Sequence, residues 1–298
     1  MRVLIVGCGY IGLPLGVALL RQGHDVFGLR RSAEKRAELK EAGITLLTGD
    51  ITKAADLERL PAQYDWVVNC VASGGGGPQD YRAVYWQGTR NLIDWLSPMP
   101  PQRFVYTSST SVYGQTDGIT VTESSPTEPA TATGRILVET EGLLLEAARR
   151  HGFPATILRL AGIYGPGRGY WLRQYLSGQA TIEGAGGRIL NMIHRDDVVG
   201  ALLAALERGR AGEVYNVADD EPTTQLALYR WLAQKSGGAL PPSVPESADS
   251  TRKRGFTNKR VSNRKLKEDL GYRLKYRSFR EGFAAEARDG KWQMANGQ

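Results

Sequence analysis

The sequence predicts an α/β protein in which a doubly wound parallel sheet is followed by a smaller, discontinuous lobe. Three features of the 298 residues support this class. A short apolar run leads into the glycine-rich turn Gly7–Gly12, strand and helix patterns then alternate through the first half, and the pattern loosens after Gly165-Pro166-Gly167. Strands that alternate with helices form a parallel sheet covered on both faces, and such sheets bind ligands at the carboxyl ends of their strands.

Six strands and four helices are predicted in the first half from apolar runs and from apolar residues at helical spacing. The strands are Val3–Val6, Asp25–Leu29, Ile44–Leu47, Trp66–Val71, Arg103–Thr107 and Ala155–Leu160. The helices are Leu13–Arg21, Ala33–Ala42, Tyr81–Leu96 and Gly134–Arg150. A helix near Asp196–Glu207 and a strand at Glu213–Val217 should return to the main sheet. The predicted domains are therefore residues 1–165 with 196–218, and a second lobe of residues 166–195 with 219–298.

The composition is that of a globular enzyme, with 41% hydrophobic and 23% charged residues. No apolar stretch reaches the roughly 18 residues of a membrane span, and the first predicted strand leaves no room for a removable signal. Cys8 falls in the glycine turn and Cys70 on a predicted strand, so we expect free thiols and a cytoplasmic location. So few Cys and His residues supply no ligand set for a structural zinc, and no metal site is predicted.

The net charge of +7 is concentrated between Arg252 and Lys267. The first interpretation of this basic stretch is a solvated surface, and the second is a site for an anionic substrate. Nucleic acid is the third, because Phe256 is the only aromatic residue in the stretch and no nucleic-acid motif accompanies it. We therefore expect a small-molecule substrate, with an anionic group as one option, and neither a nucleic-acid nor a membrane partner.

The turn Gly7-Cys8-Gly9-Tyr10-Ile11-Gly12 has the G-x-G-x-x-G pattern between a strand and a helix. Gly7 would make the tight turn, Gly9 would let the backbone approach a pyrophosphate, and Gly12 would let the helix pack on the strand. The unpaired N–H groups at the helix N-terminus would face the phosphates. The first half is therefore predicted to be a Rossmann unit that binds a dinucleotide.

The end of the second strand indicates which dinucleotide. Strands in this position usually end at an acid that binds the ribose hydroxyls of NAD, but here Arg30 and Arg31 follow Leu29. A guanidinium suits a 2′-phosphate, so the sequence predicts NADP(H) in preference to NAD(H). The alternative is that the two arginines only cap a loop. Asp50, after the third strand, would accept a hydrogen bond from adenine, cap the next helix, or do both.

Further motifs follow in a characteristic order, and the chain resembles the extended short-chain dehydrogenase/reductase family of nucleotide-sugar epimerases and dehydratases. The motifs are Val68–Ser73, Gly88–Leu92, Phe104–Gly114, Leu158–Gly167, Ile193–Val198 and Val214–Ala218. The resemblance implies that Gly7, Gly9, Tyr10, Ile11 and Gly12 hold the pyrophosphate, that Asp50 and Ile51 flank adenine, and that Val71, Ala72 and Ser73 line the ribose and phosphates. It also implies that Thr107 and the segment from Leu160 through Gly162 to Ile163 approach the nicotinamide, and that Ser109 binds the reacting oxygen.

The chain departs from the family at its acid/base pair, a tyrosine with a lysine four residues later. Aligning the window on Glu139 places Thr131 at the tyrosine and Arg135 at the lysine. An aliphatic hydroxyl has too high a pKa to relay a proton without an adjacent base, and arginine stays protonated, although Arg135 can still bind ribose or phosphate. The chain thus resembles an atypical branch of the family, in which the tyrosine and lysine are missing.

Several other residues are candidates for the missing acid. Tyr113 is the first choice, because its loop leaves the carboxyl end of the fifth strand; the alternative is that it packs beneath the substrate loop. Tyr164, Tyr81 and Tyr85 are the other tyrosines considered. For His194 a structural role at the junction of the lobes is preferred.

Three functions remain open. The first is an NADP(H)-dependent oxidoreductase of atypical mechanism that acts on a carbonyl, imine or sugar. The second is a nucleotide-sugar epimerase or dehydratase, which Gly162 weakens because these enzymes often carry an asparagine there. The third is a non-catalytic NADP(H)-binding sensor. By analogy with the family, the helices Tyr81–Leu96 and Gly134–Arg150 would pair in a homodimer.

Overall fold

The computed structural model describes residues 1–32, 34, 36–245 and 257–288. Its strands are β1 Arg2–Val6, β2 Asp25–Arg30, β3 Thr45–Thr48, β4 Trp66–Asn69, β5 Arg103–Ser109, β6 Thr120–Val121, β7 Ala155–Leu160, β8 Gly162–Tyr164, β9 Ile182–Glu183, β10 Ile189–Leu190, β11 Met192–His194, β12 Val214–Val217, β13 Thr223–Thr224, β14 Ser243–Val244 and β15 Arg260–Val261. Its α-helices are α1 Gly12–Arg21, α2 Arg36–Glu41, α3 Ala54–Glu58, α4 Pro78–Tyr81, α5 Gly88–Leu96, α6 Ala132–His151, α7 Tyr170–Leu176, α8 Arg195–Arg208, α9 Gln225–Ser236, α10 Arg264–Leu270 and α11 Phe279–Arg288.

Seven strands form the central sheet, in the order β3-β2-β1-β4-β5-β7-β12. Every neighbouring pair in this sheet is parallel. From β1, the chain adds β2 and β3 on one side of the sheet. It then adds β4, β5, β7 and β12 on the other side. The predicted doubly wound parallel sheet is confirmed, and the reversal of strand order at β1 and β4 creates a crevice at their carboxyl ends.

Side chains of β1 alternate between the two hydrophobic layers that cover the sheet. Val3 and Ile5 pack with α1 and α8 on one face, whereas Leu4 and Val6 pack with α5 and α6 on the other. Because both faces are covered, the four residues of β1 from Val3 to Val6 are all apolar and buried.

The predicted helix Tyr81–Leu96 is interrupted. Helix α4 ends at Tyr81, a π-helical segment spans Arg82–Gln87, and α5 begins at Gly88. A π-helical turn is rare and often marks a functional site, because the extra residue redirects the side chains around it. This segment lies against α6, the helix whose first turn carries the window that departs from the family.

The second lobe contains short strand pairs and its own apolar cluster. The cluster contains Tyr164, Met192, Trp231, Phe279 and Phe283. The chain leaves this region to contribute β12 to the main sheet and α8 to one of its covering layers, as predicted.

Helix α10 packs with the main core, although it falls within residues 219–298. Its buried residues Leu266 and Leu270 lie on one helical face and pack against α8 and β12. The predicted domain boundaries stay predictions. Within the described ranges, no helix is long and apolar enough to cross a membrane.

Candidate functional site

The glycine turn has the geometry that a dinucleotide requires. Gly7 has a φ of +89°, and a Cβ there would lie 2.7 Å from the backbone nitrogen of Val71. A Cβ on Gly12 would lie 2.7 Å from the carbonyl oxygen of Gly7, so α1 packs too closely for any larger residue. A Cβ on Gly9 would meet nothing within 4 Å. Gly7 and Gly12 therefore shape the turn, whereas Gly9 leaves open space at the N-terminus of α1, where a pyrophosphate fits.

Arg30 extends from the end of β2 to the glycine turn. Its Nε donates to the carbonyl of Cys8 at 2.6 Å and its Nη1 to the carbonyl of Glu34 at 3.3 Å. These bonds use two of the five N–H donors of the guanidinium. Arg30 thus has the loop-capping role considered as the alternative, yet its positive charge lies beside the predicted cofactor site. Arg31 is exposed.

Asp50 and Ile51 follow β3. Asp50 Oδ1 accepts hydrogen bonds from the backbone nitrogen and hydroxyl of Thr52, at 3.0 and 2.8 Å, and closes a turn before α3. It does not cap α3, which begins after Lys53. Ile51 is mainly a core residue, and its side chain packs against Gly88. Contact of either residue with adenine stays a prediction.

The loop after β4 joins the glycine turn to the π-helical segment. Val71 packs on Gly7, Ala72 is exposed, and the backbone nitrogen of Ser73 donates to Tyr85 Oη at 3.2 Å. The ring of Tyr85 also packs on that of Tyr81, with centroids 4.9 Å apart. Tyr85 therefore contacts the loop that is predicted to line the ribose and phosphates, and Tyr81 packs behind it.

Thr107 and Ser109 lie on the same face of β5, because residues two apart in a strand point the same way. Both are partly exposed at the carboxyl end of the strand. Thr107 Oγ1 donates to the carbonyl of Asn69 at 3.3 Å, and Ser109 pairs in register with Leu160. Beyond Leu160, the nitrogen of Gly162 donates to the carbonyl of Asn191 at 3.0 Å. The structure thus brings together the residues predicted to approach the nicotinamide and the reacting oxygen.

Tyr113 does not reach this edge of the sheet. Its side chain is fully buried, and its hydroxyl donates to Asn216 Oδ1 at 2.8 Å while it accepts from Arg159 Nη1 at 2.8 Å. Burial raises the pKa of the phenol, although Arg159 opposes the shift. This geometry contradicts Tyr113 as a substitute acid/base and supports the alternative that it packs beneath the loop.

Tyr164 and His194 also have structural roles. Tyr164 Oη donates to the carbonyl of Ser278 at 3.3 Å, and burial raises the pKa of this phenol. His194 caps α8, because its Nδ1 accepts from the nitrogen of Asp196 at 3.1 Å, and its Nε2 lies 3.2 Å from Glu286 Oε1. Burial lowers the pKa of the imidazole despite these acids. The preferred structural interpretation of His194 agrees with this geometry.

Thr131 and Arg135 form local hydrogen bonds at the start of α6. Thr131 is the N-cap of the helix, since its hydroxyl accepts from the nitrogen of Gly134 at 3.1 Å. Arg135 Nη1 donates to the carbonyl of Ala130 at 2.7 Å. These contacts give both residues a local structural role, which the sequence analysis did not anticipate.

The two glutamates of α6 differ in their surroundings. Glu139 is half exposed and pairs with Arg82, whereas Glu141 is buried and its Oε2 lies 2.7 Å from Arg159 Nη2. Glu141 also accepts from Ser108 Oγ at 2.5 Å. If Glu141 ends the motif, the same spacing moves the tyrosine position from Thr131 to Thr133 and the lysine position from Arg135 to Leu137.

The sequence analysis missed a cationic cluster beside the glycine turn. The guanidinium of Arg168 lies 5.1 Å from the ring centre of Tyr10, and that of Arg195 lies 5.5 Å from it. Burial raises the pKa of Tyr10 to about 12 against the effect of the two arginines. Tyr10 Oη and Arg195 Nε are buried without a hydrogen-bond partner among the described residues. Tyr10 was predicted to hold the pyrophosphate, but nothing in the sequence placed Arg168 and Arg195 together beside it.

Most of the described part of the basic stretch is a solvated surface, as the first interpretation held. Arg264 pairs with Glu268, Lys265 with Glu213 and Lys267 with Asp220. The exception is Lys259, which is buried. Residues 252–256, including the first three basic residues, lie outside the described ranges.

Comparisons with known proteins agree with this architecture. The sequence pattern of the NAD-dependent epimerase/dehydratase family matches residues 3–218. Protein YeeZ of Escherichia coli K12 is 32% identical over 282 residues, 92% of this chain and 96% of YeeZ. UDP-glucose 4-epimerase of Corynebacterium glutamicum is 24% identical over 302 residues, 91% of this chain and 90% of the relative.

A solved structure has the same fold. The crystal structure of DesIV, a dTDP-glucose 4,6-dehydratase from Streptomyces venezuelae with NAD and TYD bound, superposes with a TM-score of 0.83 at 26% identity. The match covers 98% of this chain and 96% of the DesIV chain. The chain belongs to the NAD-dependent epimerase/dehydratase family, whose members are extended short-chain dehydrogenases/reductases with a Rossmann fold.

Proposed function

We propose that the protein binds NADP(H) and acts as an oxidoreductase of atypical mechanism on a small carbonyl, imine or sugar substrate. The observation that carries this proposal is the open glycine turn with the guanidinium of Arg30 beside it. The space above Gly9 accommodates a pyrophosphate, and a cation replaces the acid that would bind the ribose hydroxyls of NAD. Gly7, Gly9, Tyr10, Ile11 and Gly12 would hold the cofactor from the turn.

Calorimetric titration with NADPH and NADH tests the cofactor preference. A charge-assisted bond to a 2′-phosphate is worth about 1.5–3 kcal/mol, so Arg30→Ala should weaken NADPH binding roughly 10- to 100-fold and leave NADH binding unchanged. Arg21→Ala, an exposed arginine at the end of α1, is the matched control. An equal loss for both cofactors would show that Arg30 acts only through the carbonyl of Cys8. Tighter binding of NADH by the wild type would refute the preference.

The chemical step would use groups at the carboxyl ends of β4 and β5. The bound cofactor would supply or accept a hydride at the nicotinamide, next to Thr107, Leu160 and Gly162. Ser109 would donate a hydrogen bond to the reacting oxygen or nitrogen and hold it in place. We take the family's tyrosine and lysine to be missing, because the window 129–141 contains neither residue.

We infer that Tyr85 supplies the missing phenol. Tyr113 and Tyr164 are buried, whereas Tyr85 is partly exposed, and its Oη accepts a hydrogen bond from the backbone nitrogen of Ser73 in the loop after β4. Thr107 Oγ1 bonds the carbonyl of Asn69 at the start of that loop, so β5 and the loop meet at one edge. A phenol is a much stronger acid than the hydroxyl of Thr131 or Thr133.

A screen of aldehydes, ketones and imines for NADPH consumption tests this function. Once a substrate is found, Tyr85→Phe should lower kcat by roughly 100-fold or more, the usual contribution of a positioned general acid, while NADPH affinity stays within twofold. Tyr81→Phe, at the end of the adjoining helix α4, is the matched control. Tight NADPH binding without turnover of any compound would favour the third function, a sensor.

A nucleotide-sugar epimerase or dehydratase is the second candidate, favoured by the relatives from C. glutamicum and S. venezuelae. This chemistry must remove a proton from an alcohol, so it depends more on a base than the reduction does. Incubation with UDP-glucose and dTDP-glucose, followed by chromatography of the sugar products, distinguishes the two. A homodimer through α5 and α6 is a further proposal, which light scattering in solution tests.

A further inference from the structure

Lys259 is a buried lysine whose ammonium group bonds a backbone carbonyl. Only 4% of the residue is exposed, and its Nζ donates to the carbonyl oxygen of Tyr113 at 3.1 Å. No ion pair joins it to a carboxylate anywhere in the described ranges. Lys265 and Lys267, a few residues along the chain, both pair with acids. Lys259 therefore differs from its basic neighbours in both burial and pairing.

The surroundings of Lys259 make its positive charge unfavourable. An ammonium group has three N–H donors, and the bond to Tyr113 uses one. Burial, together with the nearby guanidinium of Arg188, lowers the pKa of Lys259 to about 8. A buried charge that lacks a partner is normally removed or neutralised. Among the described residues, no carboxylate supplies such a partner.

The chain places this ammonium next to the candidate site. Asn191 Nδ2 donates to the carbonyl of Lys259 at 2.9 Å, and Asn191 Oδ1 accepts from the nitrogen of Val261 at 2.8 Å. The carbonyl of the same asparagine accepts from Gly162. The carbonyl oxygen of Tyr113 accepts the hydrogen bond from Nζ, and Tyr113 directly follows the short helical turn Thr110–Val112, which begins after Ser109. Lys259 thus lies between the segment of Gly162 and the loop of Ser109.

We propose that Lys259 binds an anionic group of the substrate, a carboxylate or a phosphate, at the junction of the sheet domain and the second lobe. This inference rests on the proposed function, because it takes Ser109 and Gly162 to mark the substrate side of the cofactor. An anion would supply the missing counter-ion and accept the unused N–H donors of Nζ. Arg188, whose Nε donates to the carbonyl of Thr257 at 3.4 Å, adds a second positive charge to the site.

Calorimetry with inorganic phosphate and with malonate as probes, in the presence of saturating NADPH, tests the proposal. We expect at least one probe to bind the wild type and the control variant Lys265→Met with the same Kd. Binding to Lys259→Met should be at least tenfold weaker, and Lys259→Arg should recover part of the loss. Equal binding to the wild type and Lys259→Met would overturn the proposal, and so would the failure of both probes to bind.

A second measurement needs no variant at position 259. In wild-type protein with ¹³C-labelled lysine, the signal with the lowest pKa should move to a pKa at least one unit higher when the bound probe is present, because an anion favours the ammonium form. An unmoved signal would contradict the proposal. NADPH binding to the wild type is measured separately, so loss of cofactor binding refutes the proposed function, whereas normal cofactor binding without an anion effect refutes only the role of Lys259.

Discussion

The uncompensated charge of Lys259 should make Lys259→Met more stable than the wild type at neutral pH. The wild-type pKa falls from 10.5 in the unfolded chain to about 8 in the folded protein. Each factor of ten in proton affinity is worth about 1.4 kcal/mol, so the buried ammonium costs about 3 kcal/mol below pH 8. Methionine removes this cost but also removes the hydrogen bond to Tyr113, which is worth about 1 kcal/mol. A net gain of about 2 kcal/mol at pH 7 follows.

The sign of the pH dependence follows from proton binding. Between pH 8 and 10.5 the unfolded chain holds a proton on Lys259 that the folded protein has lost, so wild-type stability rises with pH across this window. The extra stability of Lys259→Met over the wild type should therefore shrink from pH 8 upward. Near pH 10.5 the variant should be about 1 kcal/mol less stable than the wild type, because only the loss of the hydrogen bond to Tyr113 then distinguishes the two proteins.

Urea unfolding of both proteins at several pH values, in buffer without phosphate or carboxylate, measures this difference. Subtracting the two free energies of unfolding cancels the titration of all other groups. Lys265→Met, which removes a surface lysine, should show no such slope. A difference that is constant from pH 7 to 10.5, or a less stable Lys259→Met at pH 7, would refute the reasoning.

Three further predictions concern the core and the cofactor turn. Glu141→Gln should lower the free energy of unfolding by about 3–5 kcal/mol, because Arg159 stays buried without its charged partner. The control Glu139→Gln should change it by less than about 0.5 kcal/mol. Equal effects of the two substitutions in urea unfolding would contradict the role of Glu141. Gly9→Ala should leave the melting temperature unchanged, since its Cβ meets nothing, but weaken NADPH binding at least tenfold; unchanged affinity would show that the phosphates lie elsewhere. Arg168→Ala should weaken NADPH binding a few-fold at low salt and less at high salt, and a salt-independent loss would exclude a charge effect.

The fold was predictable because its signals are local. The strand β1, the turn Gly7–Gly12 and the start of α1 are consecutive, and each follows from apolar runs and glycine positions. The alternation of strands and helices then fixes a parallel sheet. The interruption of the helix after β4 was missed, since nothing in the sequence 82–87 distinguishes a π-helical turn from an α-helical one.

The candidate site was less predictable because its residues are defined by distant partners. The hydroxyl of Tyr113 is hydrogen-bonded in the core to Arg159 and Asn216, which lie 46 and 103 residues away in the chain. Glu139 and Glu141 are chemically identical, yet two residues along a helix turn the side chain by about 200°, so only one faces the core. No pattern in the sequence shows which glutamate meets an arginine from β7.

The stacking of Arg195 on Tyr10 has a thermodynamic consequence for the order in which ligands bind. Arg195 is the first residue of α8 and follows the lobe strand β11, whereas Tyr10 belongs to the cofactor turn. A ligand that shifts Arg195 changes the affinity of the turn for its own ligand. By reciprocity, the occupant of the turn changes the affinity of the lobe by the same factor. The two ligands would thus be coupled through the contacts that Arg195 and Arg168 make with the ring of Tyr10.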